Sequence, residues 1–208
     1  MVQEIMEDKI IRLKKEYVKT AGEVLGRALN DDPIYLYIFP DDEERKEKLK
    51  YVFRLTTCIG VRYGEVYATS PNLEGIAIWM QYKRFKEKFS WVLRCGGLSM
   101  GIKLGLEAAK RSNPIRKFIE KVHVEIISDE HWYLNELGVD PAFQGKGFGS
   151  SLMRYMLKKI DDQGLPVYLE TSLEKNVRYY EKFGFKLIKE ALIPETDVNQ
   201  WFMLRDID

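Results

Sequence analysis

The chain has 208 residues, 45% hydrophobic and 31% charged, a globular balance that excludes a disordered chain and suits one domain with one substantial core. Its 33 Lys and Arg against 32 Asp and Glu leave a formal charge of +1, which offers no basic field for nucleic acid and no acidic field for a cationic macromolecule. No stretch approaches the ~20 apolar residues of a membrane span, and the opening MVQEIMEDKIIRLKK carries charges throughout, so a cytoplasmic protein without membrane contact is expected.

Cys58 and Cys95 lack any CxxC-type spacing. The simpler expectation is two free thiols in a reducing compartment, with a single disulfide as the alternative. His123 and His131 have no helical partner suited to metal ligation, so no structural zinc is expected.

In chain order, Ile10–Leu13 reads as a short opening strand. Glu16–Leu29 follows as a helix with apolar residues at Tyr17, Ala21, Val24, Leu25 and Ala28. Asn30-Asp31-Asp32-Pro33 ends it, because the position before proline is pushed out of the helical region. Pro40-Asp41-Asp42 starts an amphipathic run from about Arg45 to Arg62. Glu65–Thr69 and Gly75–Gln81 flank a Ser70-Pro71-Asn72 turn as a hairpin. From Phe85 to about Lys110 the pattern is helical but interrupted by Gly96, Gly97, Gly101 and Gly105, and Pro114 fences off a further helix over Ile115–Ser128. The last third alternates: strand Trp132–Val139, helix Gly147–Ile160, strand Pro166–Glu170, helix Asn176–Phe183, then strands Lys186–Ala191 and Gln200–Leu204. Strand, glycine-rich turn, helix, strand is a βαβ unit with parallel strands.

The turn is Gln144-Gly145-Lys146-Gly147-Phe148-Gly149-Ser150. Holding a pyrophosphate requires converging backbone N–H groups, no obstructing Cβ atoms and a helix N-terminus behind them. Alternate glycines followed by a helix supply all three, and Lys146 adds charge. A Walker A loop fails because Gly147, not Ser or Thr, follows Lys146, and a Rossmann fingerprint fails on glycine spacing. A tight turn with no ligand remains the competing view.

Gln144-x-x-Gly147-x-Gly149 resembles the Q/R-x-x-G-x-G/A signature of the GNAT acyltransferases. Leu137-Gly138-Val139-Asp140-Pro141 looks like that family's fourth strand and its exit, and Tyr180-Glu181-Lys182-Phe183-Gly184-Phe185 like its Y-x-K-x-G-F ending. Gly138–Ser150 and Leu169–Phe185 resemble the puromycin N-acetyltransferase-like branch more closely, with Trp132-Tyr133 and Trp201-Phe202-Met203 in support. The likeness is strong from Trp132 onward and thin over Arg84–Glu130.

The resemblance implies one mixed α/β GNAT domain over residues 1–208 with a helical insertion at 84–130. It also implies acetyl-CoA as co-substrate, no metal, and direct acetyl transfer to the primary amine of a small molecule by a monomer or homodimer. The fourth and fifth strands would part to admit the pantetheine arm as an added strand, with Leu137 and Val139 as backbone partners and the Leu137 N–H polarising the thioester carbonyl. Gln144, Gly145, Lys146, Gly147, Phe148, Gly149 and Ser150 would hold the pyrophosphate. Tyr180 would serve as general acid. Many GNAT chains carry an asparagine seven residues before that tyrosine. This chain has Leu173 there, and Asn176 is left to cap its helix, touch the cofactor, or both.

Glu170 and Glu136 are the candidate bases, although simple alternation turns Glu136 away from Tyr133, Asn135, Leu137 and Val139. Asp31, Asp32, Tyr35 and Tyr37, with Trp79, Trp132, Tyr133 and Asn135, are candidates for the acceptor pocket. The insertion is a lid, a dimer surface or scaffold. Two rivals stand beside the small-molecule enzyme: a non-catalytic acyl-CoA sensor, and a peptide or protein N-acetyltransferase.

Overall fold

A computed structural model describes residues 9–82 and 89–206. Seven strands form one mixed sheet: β1 (Ile11–Arg12), β2 (Glu65–Ala68), β3 (Gly75–Gln81), β4 (Trp132–Val139), β5 (Val167–Thr171), β6 (Lys186–Leu192) and β7 (Asn199–Arg205). Their order is β1-β2-β3-β4-β5-β7-β6. Every described pairing is antiparallel except β4 with β5, the pair joined through the glycine-rich turn and its helix.

Helices cover both faces. On one side lie α1 (Val18–Ala28), α2 (Pro33–Ile38) and α3 (Asp42–Tyr63), whose Leu25, Leu49 and Phe53 pack with Ile76 and Ile78 of β3. On the other lie α7 (Phe148–Asp161) and α8 (Glu174–Glu181), where Leu152, Met153 and Met156 meet Ala77, Trp79, Trp132 and Leu169. The alternation of β3 thus feeds two separate cores.

The insertion folds as α4 (Phe89–Arg94), α5 (Gly97–Leu104) and α6 (Leu106–Ile126) on the α1 side. Its breaks fall at Gly96 and Gly105, whose φ values of 79° and 88° favour glycine. The residues around Phe85, where the helical pattern begins in sequence, lie outside the described segments. Lys48 Nζ donates to the Leu104 carbonyl at 2.7 Å, Arg111 Nη1 donates to the Ile38 carbonyl at 3.2 Å, and Ala108 and Ile115 enter the core, so α5 and α6 are bound to α2 and α3.

Three expectations change. Cys58 of α3 and Cys95 after α4 form a disulfide rather than two free thiols, because the insertion folds back to set their Cα atoms 5.8 Å apart. Pro114 does not start a helix but lies inside α6. Both Pro114 and Lys110, whose carbonyl loses its helical partner, are exposed, so water can take that carbonyl. Asp32-Pro33 opens a helix as well as closing one: the Asp32 carboxylate accepts the Ile34 N–H at 2.9 Å with proline at the first position.

Candidate active site

The site starts from an irregularity in β4. Ile78 pairs with Glu136 and Trp79 with Leu134, which leaves Asn135 as an extra residue. This bulge shifts the alternation by one. Glu136 therefore shares a face with Tyr133, correcting the expectation that it points the other way. Beyond the bulge, Leu137 and Val139 turn their side chains towards Gly149 of α7, so their main chains are left at the strand edge.

Among the described residues no strand pairs with that edge. β4 and β5 pair only at Trp132 with Val167 and Tyr133 with Tyr168, then part. A cavity of about 480 Å³ opens at the divergence. Its floor includes Tyr133, Asn135, Glu136, Glu170 and Gln200; Asp32 and Tyr35 come from α2 and its cap, Asn176 and Tyr180 from α8. The roof is the insertion, through Leu104, Ala108, Ser112 and Ile119 of α5 and α6.

Three carboxyls face this space. Burial raises Glu136 well above the ordinary carboxylate range, and the charges of Asp32 and Glu170 push it further. Burial lifts Glu170 to about 7 against the opposing pull of the Tyr133 and Tyr168 hydroxyls. Tyr133 donates to Glu170 Oε1 at 2.5 Å. Tyr168 acts on Glu170 through proximity alone, since its hydroxyl and Glu170 Oε2 both lack a hydrogen-bond partner of sound geometry. Asp32 is raised by burial and eased by the Ser172 hydroxyl, which donates at 2.7 Å and ties α2 to the end of β5. Burial also raises the Tyr180 phenol, and of the three carboxyls Glu136 acts on it most strongly and Glu170 least.

At the far end of β4 the loop is pinned before it opens. Asp140 accepts the Ala142 N–H on Oδ1 and two Arg27 N–H groups on Oδ2 at 2.9 and 2.6 Å, while Gln144 Nε2 donates to the Val139 carbonyl at 3.1 Å. Gly147, with φ 87°, caps α7, whose helix begins at Phe148. Nothing lies within 4 Å of a Cβ built on Gly145 or Gly147, so an incoming anion has free access to the backbone there. Lys146 folds back onto the Ala142 carbonyl at 3.2 Å and over the Phe143 ring. Gly149 allows Tyr179 to approach, with the tyrosine oxygen 3.2 Å from where a Cβ would sit, and Ser150 Oγ lies 3.5 Å from the same hydroxyl.

The structure thus gathers Asp32, Tyr35, Tyr133, Asn135, Glu136, Leu137, Glu170, Asn176 and Tyr180 around one cavity. Asn176 does not cap its helix; its amide donates to Thr171 Oγ1 at 3.0 Å. Four acceptor candidates lie elsewhere. Trp79 and Trp132 sit in the opposite core, because they fall on the alternate positions of their strands, and the Trp132 indole donates to Gln163. Asp31 is exposed and accepts from Asn30, and Tyr37 donates to the Glu195 carbonyl. Ser172, Tyr179 and Gln200 were missed in sequence. A signal existed only for Gln200, a polar residue directly ahead of the apolar run Trp201–Leu204 of β7.

A model of the acetyltransferase (GNAT) family matches residues 110–185. An uncharacterised N-acetyltransferase of Schizosaccharomyces pombe is 29% identical over 177 residues, covering 82% of this chain and 71% of the relative. Among solved structures, histone acetyltransferase HPA2 and related acetyltransferase from Corynebacterium glutamicum aligns with a TM-score of 0.66 at 16% identity, covering 96% of each chain. Arylalkylamine N-acetyltransferase 2 from Aedes aegypti aligns at 0.61 with 12% identity, covering 96% of this chain and 99% of that one. At these identities the two structures speak for a shared fold alone.

Proposed function

We propose that the chain is an N-acetyltransferase of the GNAT family, whose model it matches over residues 110–185, and that it moves an acetyl group from acetyl-CoA directly to the primary amine of a small molecule. The observation that carries this is the parting of β4 and β5 after Tyr133, with Glu136 and Tyr180 at the gap and the glycine loop at its end. We take residues 1–208 as one domain, with the described helices α4 to α6 as its insertion. The roof they form encloses the acceptor side, which suits a small molecule better than a peptide crossing an open groove.

Acetyl-CoA supplies the thioester that is attacked. The open β4 edge at Leu137 and Val139 aligns the pantetheine amides, and Gln144 to Ser150 take the pyrophosphate on backbone N–H groups. The Leu137 N–H points charge stabilisation at the carbonyl oxygen as it becomes an oxyanion. Glu136 is the base. It neighbours Leu137 in the strand and lines the same cavity as Tyr180, and geometry ranks before proton affinity in choosing a base. It removes the ammonium proton, the amine forms the C–N bond, and the C–S bond breaks to release coenzyme A, whose thiolate takes up the second proton that the nitrogen sheds. Tyr180, kept protonated by burial, donates a hydrogen bond to the departing sulfur; a free thiol of pKa ~8.5 is the stronger acid, so full proton transfer from the phenol is not required.

The test is thiol release from acetyl-CoA over a panel of polyamines, aminonucleosides, amino acids and peptides. Turnover with small amines supports the proposal. Preference for peptides overturns the acceptor class, and binding of acetyl-CoA with no turnover on any amine overturns catalysis.

A further inference from the structure

The cavity holds more acceptors than one ammonium group uses. Apart from the reacting end at Glu136, Leu137 and Tyr180, a second polar group of atoms lies across the floor on β5 and β7. Glu170 Oε1 is taken by Tyr133, but Glu170 Oε2 is buried and has no partner. Gln200, only 2% exposed, lines the same cavity, and its Oε1 is likewise buried without a partner. Register explains their meeting: Glu170 lies opposite Phe202, so Gln200 is its diagonal neighbour on the same face. The orphaned Tyr168 hydroxyl can turn to only one of these two buried acceptors, so the other costs free energy unless something else donates to it.

Charge points to what that donor is. Among the described residues no cation pairs with Asp32, Glu136 or Glu170. Among the described residues that line the cavity, the cationic side chain is that of Arg116, at an exposed position of α6. The hydroxyls of Tyr35, Tyr133 and Tyr180 complete the polar wall, and His123, stacked at 3.8 Å on Tyr168, stands behind it. Burial and mutual repulsion make these carboxyls hold protons, so a second positive charge on the acceptor is what would let Glu170 ionise in the same cavity as Glu136.

We propose that Glu170 and Gln200 form a second subsite that takes a cationic nitrogen of the acceptor other than the one acetylated, so that the preferred substrate is a linear diamine or polyamine. This rests on the acetyltransferase function proposed above. One ammonium loses its proton to Glu136 and is acetylated, while the other stays charged between Glu170 Oε2 and Gln200 Oε1. The second charge fixes how deep the chain enters, and thereby places the reacting nitrogen.

Putrescine and cadaverine, compared with n-butylamine and n-pentylamine in the same thiol-release assay, test the idea, with norleucine as a probe of Arg116. The diamines should exceed the matched monoamines in kcat/KM by about 10- to 100-fold, the worth of charge-assisted hydrogen bonds in a buried site. In Glu170→Gln and Gln200→Leu that ratio should shrink towards unity, chiefly through a raised KM for the diamines. Equal kcat/KM for diamines and monoamines in the wild-type enzyme overturns the subsite while leaving the acetyltransferase function standing. So does a preference for norleucine, or an equal loss of kcat on both amine series in Glu170→Gln. Absence of thiol release with every amine refutes the underlying function instead. The wild-type comparison decides the matter even if a variant does not fold.

Discussion

On the α7 side of the sheet, Met153, Met156, Ile160 and Val167 are fully buried, and among the described residues of that core only the Trp79 indole nitrogen is a buried side-chain polar atom without a partner. On the α1 side, three neighbouring strand residues, Tyr168, Glu170 and Gln200, each bury an oxygen with no partner, and Glu136 stands among them. The same strands make both surfaces, so backbone alternation separates a face that holds the molecule together from a face that acts. Groups kept unsatisfied on the second are tolerable because the close packing of the first offsets their cost.

If this division holds, substitutions on the two faces should fail in different ways. Glu136→Gln should cut kcat by about 100- to 10,000-fold, as loss of a general base does, with thermal stability unchanged or raised because a buried carboxyl is gone. A variant that melts early and keeps its turnover would place Glu136 in the scaffold instead. Leu152→Ala, beneath Gly75 of β3, should lower unfolding free energy by about 2–5 kcal/mol in denaturant titration. Below its melting range that variant should keep the diamine-to-monoamine ratio.

The third expectation concerns pH. Glu170 titrates near 7 in the fold and near 4.5 when unfolded, so between these values the folded state holds a proton that the unfolded state has lost. Its contribution therefore falls as pH rises through that window, by up to about 3 kcal/mol. His123, lowered by burial to about 3, acts in the opposite sense below pH 6.5, so the difference between wild type and Glu170→Gln isolates the carboxyl. Parallel stability curves for the two proteins would contradict the assignment. Smallest of the four, Tyr180→Phe should reduce kcat by about tenfold with little change in the KM for acetyl-CoA, as expected for one hydrogen bond made mainly in the transition state.

The C-terminal third was legible because its signals are local. Glycines at 145, 147 and 149 followed by an amphipathic helix mark the loop, and Tyr180 lies within a short recognisable ending. What sequence could not show depends on long-range pairing. The bulge at Asn135 arises from how β3 and β4 register, so strict alternation put Glu136 on the wrong face. Trp79 and Trp132 attracted attention as aromatics near the site, but side-chain type does not reveal which core a strand position enters. Ser172 meets Asp32 across 140 residues of chain, and no local pattern announces that contact. The insertion's helices were visible, whereas their use as a roof follows only from docking on α2 and α3.

The Cys58–Cys95 bond, separated by 37 positions, turns that part of the chain into a covalent ring that includes β2, β3 and α4. A single backbone cut anywhere within the ring leaves all the atoms in one molecule. The central β3 strand and the start of the roof would then travel together after a nick, and two fragments would separate on a denaturing gel only once a reductant was added.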